Sequence, residues 1–153
     1  MNKLWMLLLS LLGFAGCDET QEDMYGTPYA EYTVKGRVTD AAGTPIAGIR
    51  LVPDKLISAA GAELEEELYG KTASYATDAQ GNYILHSESF PNGRATALRI
   101  VAEDIDGESN GGRFARRWVS VPFDKTHIVG DDGWTVTYSI DAPIITLEKE
   151  VDR

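Results

Sequence analysis

The chain has 153 residues, 43% of them hydrophobic and 25% charged, which suits one domain with a core of its own. Its formal net charge of −10 argues against nucleic-acid partners and against adhesion to anionic membranes by charge alone. Cys17 is the one cysteine, so an intramolecular disulfide, a Cys-based zinc site and a redox pair are all excluded.

Met1-Asn2-Lys3 is a short positive segment, and residues 4–14 form an apolar run too short to span a bilayer comfortably as a mature helix. Phe14-Ala15-Gly16-Cys17 then places small residues before a cysteine. This resembles a bacterial lipobox, with Phe14 where leucine is usual. The resemblance implies cleavage before Cys17, acylation of that thiol (palmitate and related chains), and attachment to a membrane through it. Residues 1–16 are the expected signal peptide and residues 17–31 an acidic lipidated tether. Within the tether, Asp18-Glu19-Thr20-Gln21-Glu22-Asp23 is acidic and poor in apolar groups, as a solvated linker is. The expected location is the cell envelope, anchored at the outer membrane; the acidic run also looks like the surface-display signal of some Gram-negative lipoproteins, which leaves exposure on the cell surface open. Tyr25 and Tyr29, beside Gly26 and Pro28, either dock on the domain or present a binding surface.

Residues 32–39 alternate Tyr32, Val34, Gly36 and Val38 with Thr33, Lys35, Arg37 and Thr39, the period of a half-buried strand. Asp40-Ala41-Ala42-Gly43-Thr44-Pro45 is a turn cluster, because Asp bonds the backbone ahead of it and Gly accepts positive φ. Ile49 and Leu51 alternate with Arg50, Pro53 is expected to stop the run, and Gly48 suggests a bulge or close backbone approach. Gly36, Val38, Asp40, Gly43, Pro45, Ile46, Gly48 and Ile49 resemble the opening of the carboxypeptidase regulatory-like domain. Thr77, Asp78, Gly81 and Tyr83 match its second signature. The resemblance implies a transthyretin-like, Ig-like β-sandwich over residues 32–148, with residues 149–153 as a tail. Residues 24–40 and the segment Asp104-Ile105-Asp106-Gly107-Glu108-Ser109-Asn110-Gly111-Gly112 are also similar to small lipoproteins encoded beside a radical S-adenosylmethionine (radical SAM) enzyme. That likeness implies a gene neighbourhood rather than an activity.

Residues 55–70 interrupt the strand pattern, and the Glu-rich run 63–68 reads as a loop or as one or two helical turns through Leu64 and Leu68. Residues 71–77 and 82–87 form the next expected hairpin around Asp78-Ala79-Gln80-Gly81. Residues 98–102, 118–123, 134–140 and 144–147 supply further strands, separated by turns at 90–93 and 130–133. Pro122 hints at an edge. Short strands with turn signals between them, and no long amphipathic helix, predict an all-β sandwich of about seven or eight strands.

Asp104, Asp106, Glu108 and Asn110 put oxygen ligands at every second position, the kind of acidic loop that suits calcium. An EF-hand is rejected, since counting from Asp104 puts Ser109 at the glycine position and Ala115 at the glutamate position. A looser calcium site competes with a solvated acidic turn. Arg113, Arg116 and Arg117 follow, placed to neutralise the loop, and Asp131-Asp132 reads as a second turn. His86 and Glu88 form H-x-E, the wrong spacing for a carboxypeptidase-type zinc pair. With His127 the only other histidine and no G-x-S-x-G or phosphate-binding glycine loop, no enzyme is expected. Trp118 and Trp134 are expected to pack in the core or against a sheet; exposure on one face would instead favour a glycan- or protein-binding surface. The expectation is a non-enzymatic, lipid-anchored envelope module that presents a surface, as an accessory or interaction protein, with an envelope protein as a candidate partner. The alternatives are a substrate of the neighbouring radical enzyme and a calcium- or glycan-binding module.

Overall fold

A computed structural model describes residues 27–69, 75–90 and 93–151. Ten strands run through them: β1 (Tyr29–Asp40), β2 (Ile49–Ser58), β3 (Leu68–Tyr69), β4 (Tyr75–Ala76), β5 (Asn82–Ser89), β6 (Ala95–Asp104), β7 (Arg117–Pro122), β8 (Ile128–Asp131), β9 (Thr135–Asp141) and β10 (Ile145–Leu147). One 3-10 turn, Lys125–His127, lies between β7 and β8. Since β3 and β4 are only two residues long, eight strands of three or more residues remain, in keeping with the seven or eight predicted.

The strands form a two-sheet sandwich. One sheet has the order β3-β5-β1-β9-β8, with β10 beside the end of β1, and the other has the order β4-β2-β6-β7. β1 is the hub of the first sheet, antiparallel to β5 and parallel to β9 and β10. Alternation selects the buried face, most cleanly in β5, where Tyr83, Leu85, Ser87 and Ser89 point inward and their neighbours outward. Val34, Val38, Leu85, Ile140 and Ile145 from one sheet meet Ile49, Leu51, Leu56, Leu98, Ile100 and Val121 from the other. Each such side chain contributes about 1.5–3 kcal/mol by leaving water. At one end Tyr32, Tyr138 and Phe123 close the core, with ring centroids 5.1–5.2 Å apart.

The chain passes between sheets through two copies of one turn. In Thr39-Asp40-Ala41-Ala42-Gly43-Thr44, Asp40 Oδ1 accepts from Ala42 N at 2.9 Å and Thr44 N at 2.8 Å, and Gly43 N donates to Asp40 O at 3.0 Å. In Thr77-Asp78-Ala79-Gln80-Gly81-Asn82, Asp78 Oδ1 accepts from Gln80 N at 2.9 Å and Asn82 N at 2.8 Å, and Gly81 N donates to Asp78 O at 2.9 Å. Gly43 and Gly81 have φ of +84° and +74°, a region that costs glycine nothing. The copies dock on each other, since Val38 N donates to Gly81 O at 2.8 Å. Buried Thr77 fastens the joint, donating from Oγ1 to Ile46 O at 2.7 Å and accepting from Ile49 N at 3.0 Å.

Three expectations change. The segments around Asp78 are not a hairpin: β4 pairs with β2 and β5 with β1, because the turn crosses between sheets instead of reversing within one. Residues 71–74 of the expected first arm lie outside the described residues. Pro53 does not end β2, which runs on to Ser58; a register shift between Pro53 and Lys55 takes up the irregularity. Finally, β1 begins at Tyr29, ahead of the expected boundary at residue 32, because Tyr29, Ala30 and Glu31 already pair with β9. In the Glu-rich run residues 63–67 are a loop, joined to β2 by a bridge between Glu63 and Ile57, and Leu68 enters β3.

Gly36 faces Tyr83 across the β1–β5 pair, and a Cβ at Gly36 would lie 2.5 Å from the Tyr83 hydroxyl. That hydroxyl is buried with no hydrogen-bond partner, and burial pushes its pKa far above the ordinary phenol value. Gly36→Ala should therefore cost about 1–3 kcal/mol in urea unfolding, through overpacking. Tyr83→Phe should leave stability unchanged or raise it, since it removes an unsatisfied buried group.

Asp78, Asp124 and Asp132 have carboxyl pKa values held below the ordinary range. The leading causes are hydrogen bonds from the Asn82 backbone, the Thr126 side chain and the Thr135 backbone respectively. A carboxyl depressed in the fold stabilises it above the unfolded pKa, and that contribution is lost as pH falls through the folded one. Melting temperature should thus hold steady from neutrality to about pH 4 and fall below it. Asp78→Asn should flatten the fall.

Candidate functional site

The acidic loop leaves β6 at Asp104 and returns at Phe114, which is buried. Asp104 organises it: Oδ1 accepts from Asp106 N at 3.0 Å and Gly107 N at 3.1 Å, while Oδ2 accepts from Phe114 N at 2.9 Å. One carboxylate thereby ties both ends of the loop to its middle. Asp106 Oδ2 accepts from Asn110 Nδ2, and Asn110 takes the left-handed conformation with φ of +52°. The Asp106 carboxylate rests against Gly48, where a Cβ would collide with it. The close approach expected at Gly48 is therefore a contact with this loop.

The four candidate calcium ligands do not converge. Both Asp104 oxygens accept backbone amides, Asn110 turns its amide nitrogen to Asp106, and the Glu108 side chain is 85% exposed. Calcium needs six to eight oxygens around one point, so these residues do not fit it. Among the described residues, no group of three or more His, Cys, Asp or Glu side chains is placed to hold a metal ion.

The arginines act separately. Arg113 Nε lies 4.0 Å from Glu108 and 3.8 Å from Glu150, while Arg117 donates to the Thr146 carbonyl. Arg116 and Arg50 both pair with Glu103. The Arg116 guanidinium also lies over the Trp118 ring, 5.8 Å from its centroid. Trp118 stands beside Val101, and Val101 beside Val52, forming an outward row across β7, β6 and β2.

The histidines serve local structure. His127 and Asp124 form a capping box: Asp124 N donates to His127 Nδ1 at 3.1 Å and Asp124 Oδ1 accepts from Thr126 N at 2.8 Å. On the exposed face of β5, His86 Nδ1 lies 3.0 Å from Thr33 Oγ1. The turn expected at 130–133 falls at 132–134: Asp131 ends β8 and accepts from Gly133 N at 3.0 Å, while Asp132 accepts from Trp134 N at 2.9 Å and Thr135 N at 2.6 Å.

Trp118 and Trp134 are not core residues, being 56% and 51% exposed. In β7 the inward set is Val119 and Val121, continued by Phe123, so alternation turns Trp118 outward; Trp134 lies in the turn ahead of β9. They stand on different sheets. Trp134 instead joins three further exposed rings, Tyr29, Tyr69 and Phe90, at the end where β1 begins. Tyr29 N donates to Trp134 O at 2.9 Å, and the Tyr69 and Phe90 rings meet edge to face at 5.2 Å. Tyr69 and Phe90 escaped attention because both lie in stretches that read as loops. Cys17, the residue of the expected anchor, lies outside the described residues.

No family model and no curated protein matches the chain. Among solved structures it is similar to a 3-chlorocatechol 1,2-dioxygenase from Rhodococcus opacus 1CP, at 15% identity and a TM-score of 0.40. The match covers 85% of this chain and 63% of that one, so the chain spans less than two thirds of that enzyme.

Asp104→Ala should cost about 1–3 kcal/mol in chemical unfolding, since three backbone donors lose their acceptor. Glu108→Ala should change stability by less than about 0.5 kcal/mol. The melting temperature should be the same in millimolar calcium and in chelator.

Proposed function

We propose that the protein is a non-enzymatic, lipid-anchored module of the bacterial cell envelope, working as an accessory or interaction protein that presents its surface to an envelope partner. The observation that carries this is the N-terminal pattern: a lysine, an apolar run, small residues and then the one cysteine, followed by an acidic stretch. The rest of the chain is compatible with that role. A compact sandwich on a tether displays its faces away from the lipid. Groups that could have served as acids, bases or ligands are occupied locally, with His127 and Asp124 in a capping box and Asp104 holding a loop. The exposed indole of Trp118, backed by Arg116 and the Arg50–Glu103 pair, offers a partner flat apolar surface with charge at its rim.

The decisive measurement is the intact mass of the protein extracted from its native membrane. The expected mass is that of residues 17–153 plus an acylated glyceryl group. An unlipidated mass overturns the proposal. A further shift beyond the lipid would favour the alternative that the chain is the substrate of a radical enzyme, and fragmentation would locate the residue. Cys17→Ser should move the protein out of the membrane fraction.

A further inference from the structure

We propose that the end of the sandwich where β1 begins is a lipid-facing surface, with Tyr29, Tyr69, Phe90 and Trp134 seated among neutral headgroups at the membrane–water interface. This placement rests on the lipid anchor proposed for Cys17.

Among the described residues five aromatic side chains are classed as exposed, and these are four of them; the fifth is Trp118. The strand register brings the four together. Tyr29 pairs with Thr135, next to Trp134, and Ala30 pairs with Ser89, next to Phe90. Ser89 pairs in turn with Leu68, next to Tyr69. They surround the point where the chain enters the fold. Eleven residues separate Cys17 from Tyr29, and a segment of that length reaches at most about 40 Å. The acyl chains therefore hold this end at high local concentration near the lipid, so even modest contacts can fix its orientation.

The chemistry fits an interface better than a hydrocarbon interior. Trp and Tyr combine an apolar ring with a polar edge and settle at headgroup depth. Glu31, Glu88, Asp131 and Asp132 stand at the same end, and their charge opposes anionic headgroups. Neutral headgroups are therefore the ones it accepts. Trp118 is the internal control. Phe123 packs against Tyr32 at this end, and Trp118 lies five residues back along the chain, about 16 Å away along a strand.

The mature chain keeps two tryptophans, Trp118 and Trp134, because Trp5 lies in the leader. The test uses the full lipoprotein from native membranes as two variants, Trp118→Phe and Trp134→Phe, each floated with phosphatidylcholine vesicles carrying brominated acyl chains. Quenching of Trp134 several-fold stronger than that of Trp118 is expected. Equal quenching in protein that floats overturns the orientation and leaves the anchor standing. Trp134 shielded from aqueous iodide in native membranes, yet unquenched by brominated lipid, would mean that a protein covers this end and overturns the lipid assignment. Protein that fails to float and carries no lipid mass overturns the anchor and the orientation with it.

Discussion

Every backbone polar group that the chain buries in passing from one sheet to the other must find a partner. Here the partners come from the crossings themselves. Asp40 and Asp78 each gather the amides of their own turn, and the second turn then offers the Gly81 carbonyl to Val38 of the first. Thr77 links Ile46 and Ile49 across the same joint. The sheets are thus fastened by hydrogen bonds at the corner where they diverge, and by apolar packing between Val34, Leu85, Leu98 and Ile100 elsewhere. The corner sets where β2 leaves β1, and with it the position of Gly48, against which the acidic loop rests.

That dependence explains much of what was legible in the sequence and what was not. Period-two alternation in residues 32–38 and 82–89 marks the buried faces because each strand has one face toward the core. The Asp-x-x-Gly turns are readable because their bonds are local. A local turn says that the chain changes direction, however, and not which sheet receives it, so the segments around Asp78 read as a hairpin. Pro53 read as a stop because a register shift is invisible without the partner strand. Alternation also could not say which face of β7 was covered, and Trp118 reads as core only until Val119 and Val121 are seen to fill the interior. The acidic loop left two readings open. Acids at every second position look like ligands, yet Asp104 has turned inward to its own backbone.

The strong acidity acquires a use in this light. Asp40, Asp78, Asp104, Asp124, Asp131 and Asp132 all accept backbone amides at turns, caps or loop ends. Much of the charge is a by-product of building corners from aspartate. Other acids form pairs on the outer face of the second sheet, where Glu103 lies between Arg50 and Arg116, and Asp54 and Glu63 hold Arg99. At the end where β1 begins, the exposed rings of Tyr29, Tyr69, Phe90 and Trp134 lie among acids, so the surface there is amphipathic.

β1 is the first strand among the described residues and the hub of its sheet, yet its neighbours are β5, β9 and β10. Val34 lies beside Ile140 and Val38 beside Ile145, more than a hundred residues downstream. Contacts so distant in sequence must wait for the loop between them to close. A chain emerging amino-terminus first cannot complete this sheet until nearly all of it has been made, so the leading segment spends synthesis without its native neighbours. The last strands to arrive, β9 and β10, therefore lock the first one in place, and the fold closes from its carboxy-terminal end.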